Sequence, residues 1–312
     1  HLDHCGRIPL LVKRGFGGAI VATAATRELT RVVLLDSARL QEEDAKWHTR
    51  HAARRGHEAH AALYGTLDAL NALGQFGRVA VYGEPISLAP GLDATFHDAG
   101  HILGSANVEV QIATPTPHRL VFSGDVGRWG QPIIRDPSGP RGSIDTLIIE
   151  STYALKNHDT SQDATARLAD IVHRVAARKG LILIPSFALG RTQELIYALH
   201  ELADANRIPS IPIYIDSPLA VEATAVVRTH PELFDNTEAL VQTDSRLFDY
   251  HLVTYVRDVN ESKQLNSLNG PAIIIAASGM AENGRITHHL ANPCDDARNC
   301  ILLVGFQADG TL

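Results

Sequence analysis

The sequence predicts an α/β protein of two domains, and three observations carry that prediction. The chain has 312 residues, long for one compact domain and comfortable for two. Beyond Asp145, short continuous apolar runs alternate with amphipathic segments of helix length, the pattern of parallel βαβ units joined by right-handed crossovers. Before it, alternating apolar and polar segments broken by Gly and Pro turns read as a β-meander preceded by helices. The expected boundary lies near residue 155. Residues 1–154 then form a mixed α/β layer and residues 155–312 a Rossmann-like parallel sheet.

The elements follow in order. Residues 18–26 are small and β-compatible. From Thr26 to about His60, Leu29, Val32, Val33, Leu40 and Trp47 recur at helical intervals, with Thr26 or Thr30 as candidate caps. Residues 63–75 form a second amphipathic helix. Residues 78–125 are the meander, and 128–143 a Pro/Gly-rich loop. Thr146–Glu150 reads as a buried strand. A helix over 161–179, capped by Thr160 or Ser161 and stopped by Gly180, is followed by strand 181–186. Helix 188–206, strand 211–216, helix 218–230, strand 272–277, helix 281–290 and strand 299–306 complete the pattern.

Composition excludes several classes. Apolar residues make up 45% and charged residues 20% of the chain, an ordinary globular balance. No apolar run reaches the roughly 18 residues that span a bilayer, so no membrane partner is expected. A net charge of −7 argues against binding nucleic acid by bulk positive charge; a local basic groove would be needed. Cys5, Cys294 and Cys300 are scattered and do not read as a disulfide framework, which fits the cytoplasm. Sixteen histidines hint at metal or acid–base chemistry. The chain opens at His1 with no signal-peptide pattern and stops just after an apolar run, so both ends read as cut.

The sharpest motif is His1-Leu2-Asp3-His4, imidazoles and a carboxylate packed as a borderline cation prefers them. On its own the surface-loop reading is the stronger one. Three later residues add weight, each just after a β-type segment and flanked by Gly or a strand end: His101 in AGHILGSA, Asp125 in FSGDVG and Glu150 in LIIEST.

Together HLDHCG, GHILGSA, FSGDVG and ESTYA resemble the metallo-β-lactamase superfamily. SFALGRTQEL (186–195), IDSPLA (215–220), ASGMAENGRITHHL (277–290) and VGFQADGTL (304–312) resemble its β-CASP branch, the RNA- and DNA-processing nucleases. The resemblance runs the length of the chain. It implies a partial metallo-β-lactamase αββα sandwich followed by a parallel-sheet β-CASP domain. It also implies two zinc ions per complete site. His1 and His101 would ligate one zinc, Asp3 and His4 the other, and Asp125 would bridge. Asp3 and Glu150 would be the catalytic carboxylates, Glu150 acting from behind the ligands. Two metals suit phosphodiester hydrolysis because they activate water and neutralise phosphate oxygens. The family motif is HxHxDH, whose first His would precede His1 by two residues, and the later motif histidines would lie beyond Leu312. The resemblance therefore implies that this stretch alone binds less than two equivalents of zinc and is incomplete for catalysis.

Further positions suit phosphate binding. Arg191 follows Gly190 at a strand-to-helix junction, a natural phosphate cradle, or else caps its own helix. Ser278, Gly279 and, one turn into the next helix, Arg285 occupy an equivalent junction. Ser217 after Asp216 could do the same, although a plain helix cap before Pro218 is the stronger reading. His288 and His289 match no motif and read as structural or rim residues. Arg50, His51, Arg54, Arg55 and His57 read as a solvated helix face, His158 as an exposed loop residue and Cys5 as a buried thiol. The expected function is zinc-dependent hydrolysis of single-stranded RNA, as an endonuclease, a 5′-exonuclease or both. DNA is not excluded, and a homodimer stays open. The competing readings are a small-molecule metallo-hydrolase such as a lactonase or thioesterase, and a non-catalytic scaffold of an RNA-processing assembly.

Overall fold

A computed structural model describes every residue except 54–60, 114, 158–159, 236–246, 293–294 and 312. Arg54, Arg55, His57, His158 and Cys294 thus lie outside the described residues. The chain divides into two compact units. One comprises His1–Ala99, Gly104–Asp125 and Ser138–Ile149, the other Gly100–Leu103, Val126–Pro137 and Glu150–Leu312.

In the first unit, α1 (Leu2–Cys5), α2 (Ile8–Lys13), α3 (Ala24–Ala53) and α4 (Thr66–Leu73) carry the helical periodicity of the sequence. Leu34, Ala38, Tyr64 and Ala69 are buried together, with Cys5, Leu10 and Leu73 packed against them. The Tyr64 hydroxyl keeps a partner in Ser37 at 2.9 Å, as a buried phenol requires. α3 starts two residues earlier than expected, and its first turn is capped by Thr23, whose hydroxyl accepts from the Thr26 amide at 3.2 Å.

The main sheet of this unit has the order β3-β4-β5-β6-β7. β3 (Pro85–Ala89), β4 (Leu92–Asp98), β5 (Ala106–Ile112) and β6 (His118–Phe122) are antiparallel, which is the expected meander. β2 (Arg78–Ala80) leaves it and pairs in parallel with β1 (Val21–Thr23), because the left-handed turn at Gly83 (φ 77°) redirects the chain before β3. β7 (Thr146–Ile148) runs parallel to β6. Its expected burial is not observed: Leu147, Ile148 and Ile149 are 51%, 52% and 64% exposed. β7 is the last strand of the sheet, so one flank of it has no neighbouring strand.

The second unit carries an all-parallel sheet of order β10-β9-β11-β8-β12. Its central strands, β8 (Leu181–Pro185) and β11 (Ala272–Ala276), are buried at every residue. This is what continuous apolar runs such as LILIP and AIIIA predict for strands covered on both faces. β9 (Ile213–Asp216) and β10 (Val253–Tyr255) extend one side. α5 (Ser161–Ala177), α6 (Arg191–Asp204), α7 (Pro218–Arg228), α8 (Val259–Leu265) and α9 (Arg285–Ala291) alternate with them. Thr160 caps α5 by accepting from the Asp163 amide, and Lys179 (φ 57°) turns the chain out of the helix just before Gly180. The expected strand over 299–306 shrinks to β12 (Cys300–Ile301), and Ile301, Leu303 and Phe306 are partly exposed. β12 is an edge strand, and the Leu302 amide bonding to Leu183 O continues its ladder by one residue. β10 and α8 are too short to stand out in the hydropathy pattern. No described helix is long and apolar enough to cross a membrane.

Candidate metal centre

His1 and His4 are three apart across the single turn of α1, so they share a face. Their ring centroids are 6.4 Å apart. Both point at one atom: His1 Nδ1 lies 3.6 Å and His4 Nε2 3.3 Å from Asp125 Oδ2. Asp3 Oδ2 lies 3.5 Å from the same His4 nitrogen. Asp125 stands just past the end of β6 after Gly124, whose φ of 56° only glycine adopts readily. The Ser123 amide bonds Ile148 O at 2.9 Å and fastens this corner to the adjacent strand.

These separations exceed an ordinary hydrogen bond. They match the edge between two ligands of a tetrahedral site, about 3.3–3.4 Å for bond lengths near 2.0–2.1 Å. Two imidazoles and two carboxylates, all partly open to solvent, are also the donor chemistry a borderline divalent ion takes. The residues present therefore fit a metal. Cys5 does not join them. Its thiol donates to the His1 carbonyl at 3.2 Å, and burial pushes its pKa up, so it rests as a thiol.

In the second unit, His101 sits in the turn between β4 and β5. The base of that turn is pinned within the first unit, where the Thr23 and Thr26 hydroxyls donate to Gly104 O at 2.9 and 2.7 Å. Gly127 presses on Gly100 so closely that an added Cβ would lie 1.5 Å from Gly100 O, so the FSGDVG glycine is a packing requirement. Glu150 accepts from the Val126 amide at 2.9 Å and the Thr152 amide at 3.3 Å. Burial would raise its pKa, but these bonds and the nearby His101 charge outweigh burial and hold it below the usual carboxylate range. Glu150 thus grips the residue that follows Asp125.

The phosphate-binding candidates are engaged within their own unit. Arg191, at the start of α6, pairs with Glu194 one turn on at 2.5 Å. The Ser217 hydroxyl caps α7 by accepting from the Ala220 amide. Arg285 is the first residue of α9, not one turn in, because the left-handed Gly284 (φ 77°) breaks the helix before it. Its guanidinium donates to Asp216 Oδ1 and to Arg257 O, each at 2.6 Å. Ser278 and Gly279 form the turn after β11, the Ser278 amide bonding Asn283 O at 3.2 Å. Sequence reasoning missed the hub of this arrangement. Fully buried Asp216 also accepts from Ser262 at 2.5 Å and meets His289 Nε2 at 2.6 Å. His289 is structural, as its lack of a motif suggested. The signal for the hub was a carboxylate ending an otherwise apolar strand.

Comparison with known proteins follows the same lines. The sequence profile of the Beta-Casp domain matches residues 192–312. Ribonuclease TTHA0252 of Thermus thermophilus is 33% identical over 316 aligned positions, covering all of this chain and 67% of that protein. The chain belongs to the β-CASP family. Other β-CASP relatives are transcription termination factors named FttA, 33% identical in Methanosarcina mazei and 31% in Pyrococcus horikoshii. The chain spans 47% and 46% of their lengths. The parallel sheet of the second unit and the matched residues give the β-CASP half of the architecture, and the first unit supplies the mixed α/β half.

Proposed function

We propose that this chain is the hydrolytic part of a metal-dependent ribonuclease that cuts phosphodiester bonds in single-stranded RNA. The observation that carries the reading is the approach of two imidazoles, His1 and His4, to a single carboxylate oxygen of Asp125. The name of the Thermus relative, a ribonuclease, supports RNA as the substrate. In this reading the complete protein would hold two zinc ions: His1 and His101 with Asp125 would take one, and Asp3 and His4 with Asp125 the other. Bound divalent metals supply an activated water and neutralise the phosphate oxygens.

The chain's own residues do the rest. Asp125 presents its carboxylate from a corner fixed by Gly124 and Ser123. Glu150 stays ionised through its backbone partners and keeps the following loop in place. Asp3 is the most open of the acidic groups, suited to meeting water or substrate. The test is zinc titration calorimetry together with cleavage of end-labelled single-stranded RNA, comparing the protein with Asp125→Ala. Zinc-dependent cleavage lost in the variant supports the reading. Cleavage that survives the substitution overturns it, as does hydrolysis of a lactone or thioester but not RNA. The products separate internal cutting from removal of 5′ nucleotides, and a matching DNA strand tests selectivity.

A further inference from the structure

The loops at the carboxyl ends of β8, β11 and β12 lie in the region where open α/β sheets bind ligands. Their cations have internal partners: Arg191 pairs with Glu194, and Arg285 with Asp216 and Arg257 O. Alongside the exposed Glu282 and Asp309, these loops offer aromatic surface to solvent. Phe187 follows β8 and Phe306 follows β12, each 38% exposed. Phe187 lies flat against Gly279, where an added Cβ would stand 2.7 Å from the ring. Gly305 lies beside the same ring, at 3.7 Å for an added Cβ. Phe306 is braced edge-to-face by Tyr153, with ring centroids 5.8 Å apart at 88°. Gln307 latches the loop: its Nε2 donates to Gly279 O at 2.9 Å and to Phe306 O at 3.1 Å. Because both partners are carbonyls, the amide orientation is set, and the shielded Gln307 Oε1 accepts no hydrogen bond among the described residues. Two rings are therefore held half-open by glycines, a brace and a latch, with an unused acceptor beside them.

We propose that Phe187 and Phe306 form a base-stacking platform for single-stranded RNA. The inference rests on the ribonuclease reading and specifies how this unit would hold the substrate. Every base has a π-face, so such a platform binds strand without reading sequence. It suits an acidic chain, since stacking needs no positive field, whereas a groove built on phosphate contacts does. The glycines acquire a reason at the same time. A side chain at position 279 would displace Phe187, which makes Gly279 a positioning residue for the ring, not a phosphate ligand.

The experiment is fluorescence anisotropy with a labelled single-stranded oligoribonucleotide and an abasic oligomer of equal length and charge. Metal is chelated throughout, so that neither strand is cut. The protein is expected to bind the base-bearing strand about tenfold or more tightly than the abasic one. Phe306→Ala and Phe187→Ala should each weaken base-bearing RNA about fivefold or more and leave abasic binding unchanged. Phe306→Tyr, which keeps the ring, should retain wild-type affinity. Equal affinity of the wild-type protein for the two strands overturns the platform while leaving RNA cleavage as a separate measurement. So does equal loss in Phe306→Tyr and Phe306→Ala. Failure of the wild-type protein to bind either strand also overturns the platform, whereas the ribonuclease reading falls only if RNA stays uncut in a separate reaction with zinc restored.

Discussion

Replacing Glu109 by glutamine probes how the sheet that carries Asp125 is held. Glu109 lies on β5 and its side chain is 3% exposed. It accepts from Arg119 Nε and Gln111 Nε2, each at 2.6 Å, and meets His97 Nε2 at 2.9 Å. The bond from Arg119 is the main reason its pKa falls from 4.5 to about 2; burial opposes the fall, and Gln111, His97 and the Arg119 charge add to it. A carboxylate with a depressed folded pKa contributes stability that is present above its unfolded value and lost as pH falls toward the folded one. The gap between the two values, at about 1.4 kcal/mol per pH unit, corresponds to about 3 kcal/mol at pH 7. By pH 3.5 about 1.4 kcal/mol of this should be gone, with most of the remainder lost by about pH 2. Glutamine keeps the shape but not the charge. The consequences reach further, because Arg119 also donates to Arg141 O and Ser143 O, and its amide bonds Asp145. Glu109 thereby anchors the loop that feeds β7. Urea denaturation followed by circular dichroism at pH 7 and 3.5 measures both proteins. The expected result is a deficit of about 2–3 kcal/mol for Glu109→Gln at pH 7 that narrows by about 1.4 kcal/mol at pH 3.5. A variant as stable as wild type at pH 7, or a deficit that does not change with pH, would refute the reasoning.

Other substitutions read out different parts of the molecule. Asp216→Ala should destabilise the second unit by about 3–5 kcal/mol, because it leaves Arg285 and its neighbours around a removed buried charge; thermal unfolding measures this, and zinc affinity should not change. Asp216 itself is held below the usual carboxylate range: burial acts against this, but the bonds from His289, Ser262 and Arg285 prevail. Its contribution should accordingly fade only below the ordinary carboxylate range, which a stability–pH profile checks. Ser217→Ala should cost about 1 kcal/mol as a lost helix cap and leave single-stranded RNA affinity untouched; a drop in affinity would restore the residue as a substrate contact. Gly127→Ala should destabilise the protein markedly, since its Cβ would overlap Gly100 O, and unchanged unfolding would mean that this glycine contact is not tight.

The helices and the parallel sheet were legible because periodicity is a local property: LILIP and AIIIA announce strands covered on both faces wherever they are placed. The imidazoles and carboxylate of HLDH, and the glycines around His101 and Asp125, were legible for the same reason. Edge position was not. The apolar runs at 146–149 and 300–306 look like interior strands, yet β7 and β12 lie at sheet edges and their side chains face solvent. Partnership was not legible either. Nothing in the sequence shows that Arg191 pairs with Glu194, or Arg285 with Asp216 and Arg257 O.

By itself, the order of residues determined the alternation of strands and helices, the family, and the imidazoles and carboxylates available for chemistry, since each depends on neighbours a few positions apart. The three-dimensional arrangement decided which side chains remain available. His1 and His4 meet Asp125 across more than a hundred residues of chain, and Asp216 is matched to Arg285 and His289 from 69 and 73 positions away. A charge's role depends on what lies opposite it in space, and chain folding brings such groups together without leaving a local pattern to read.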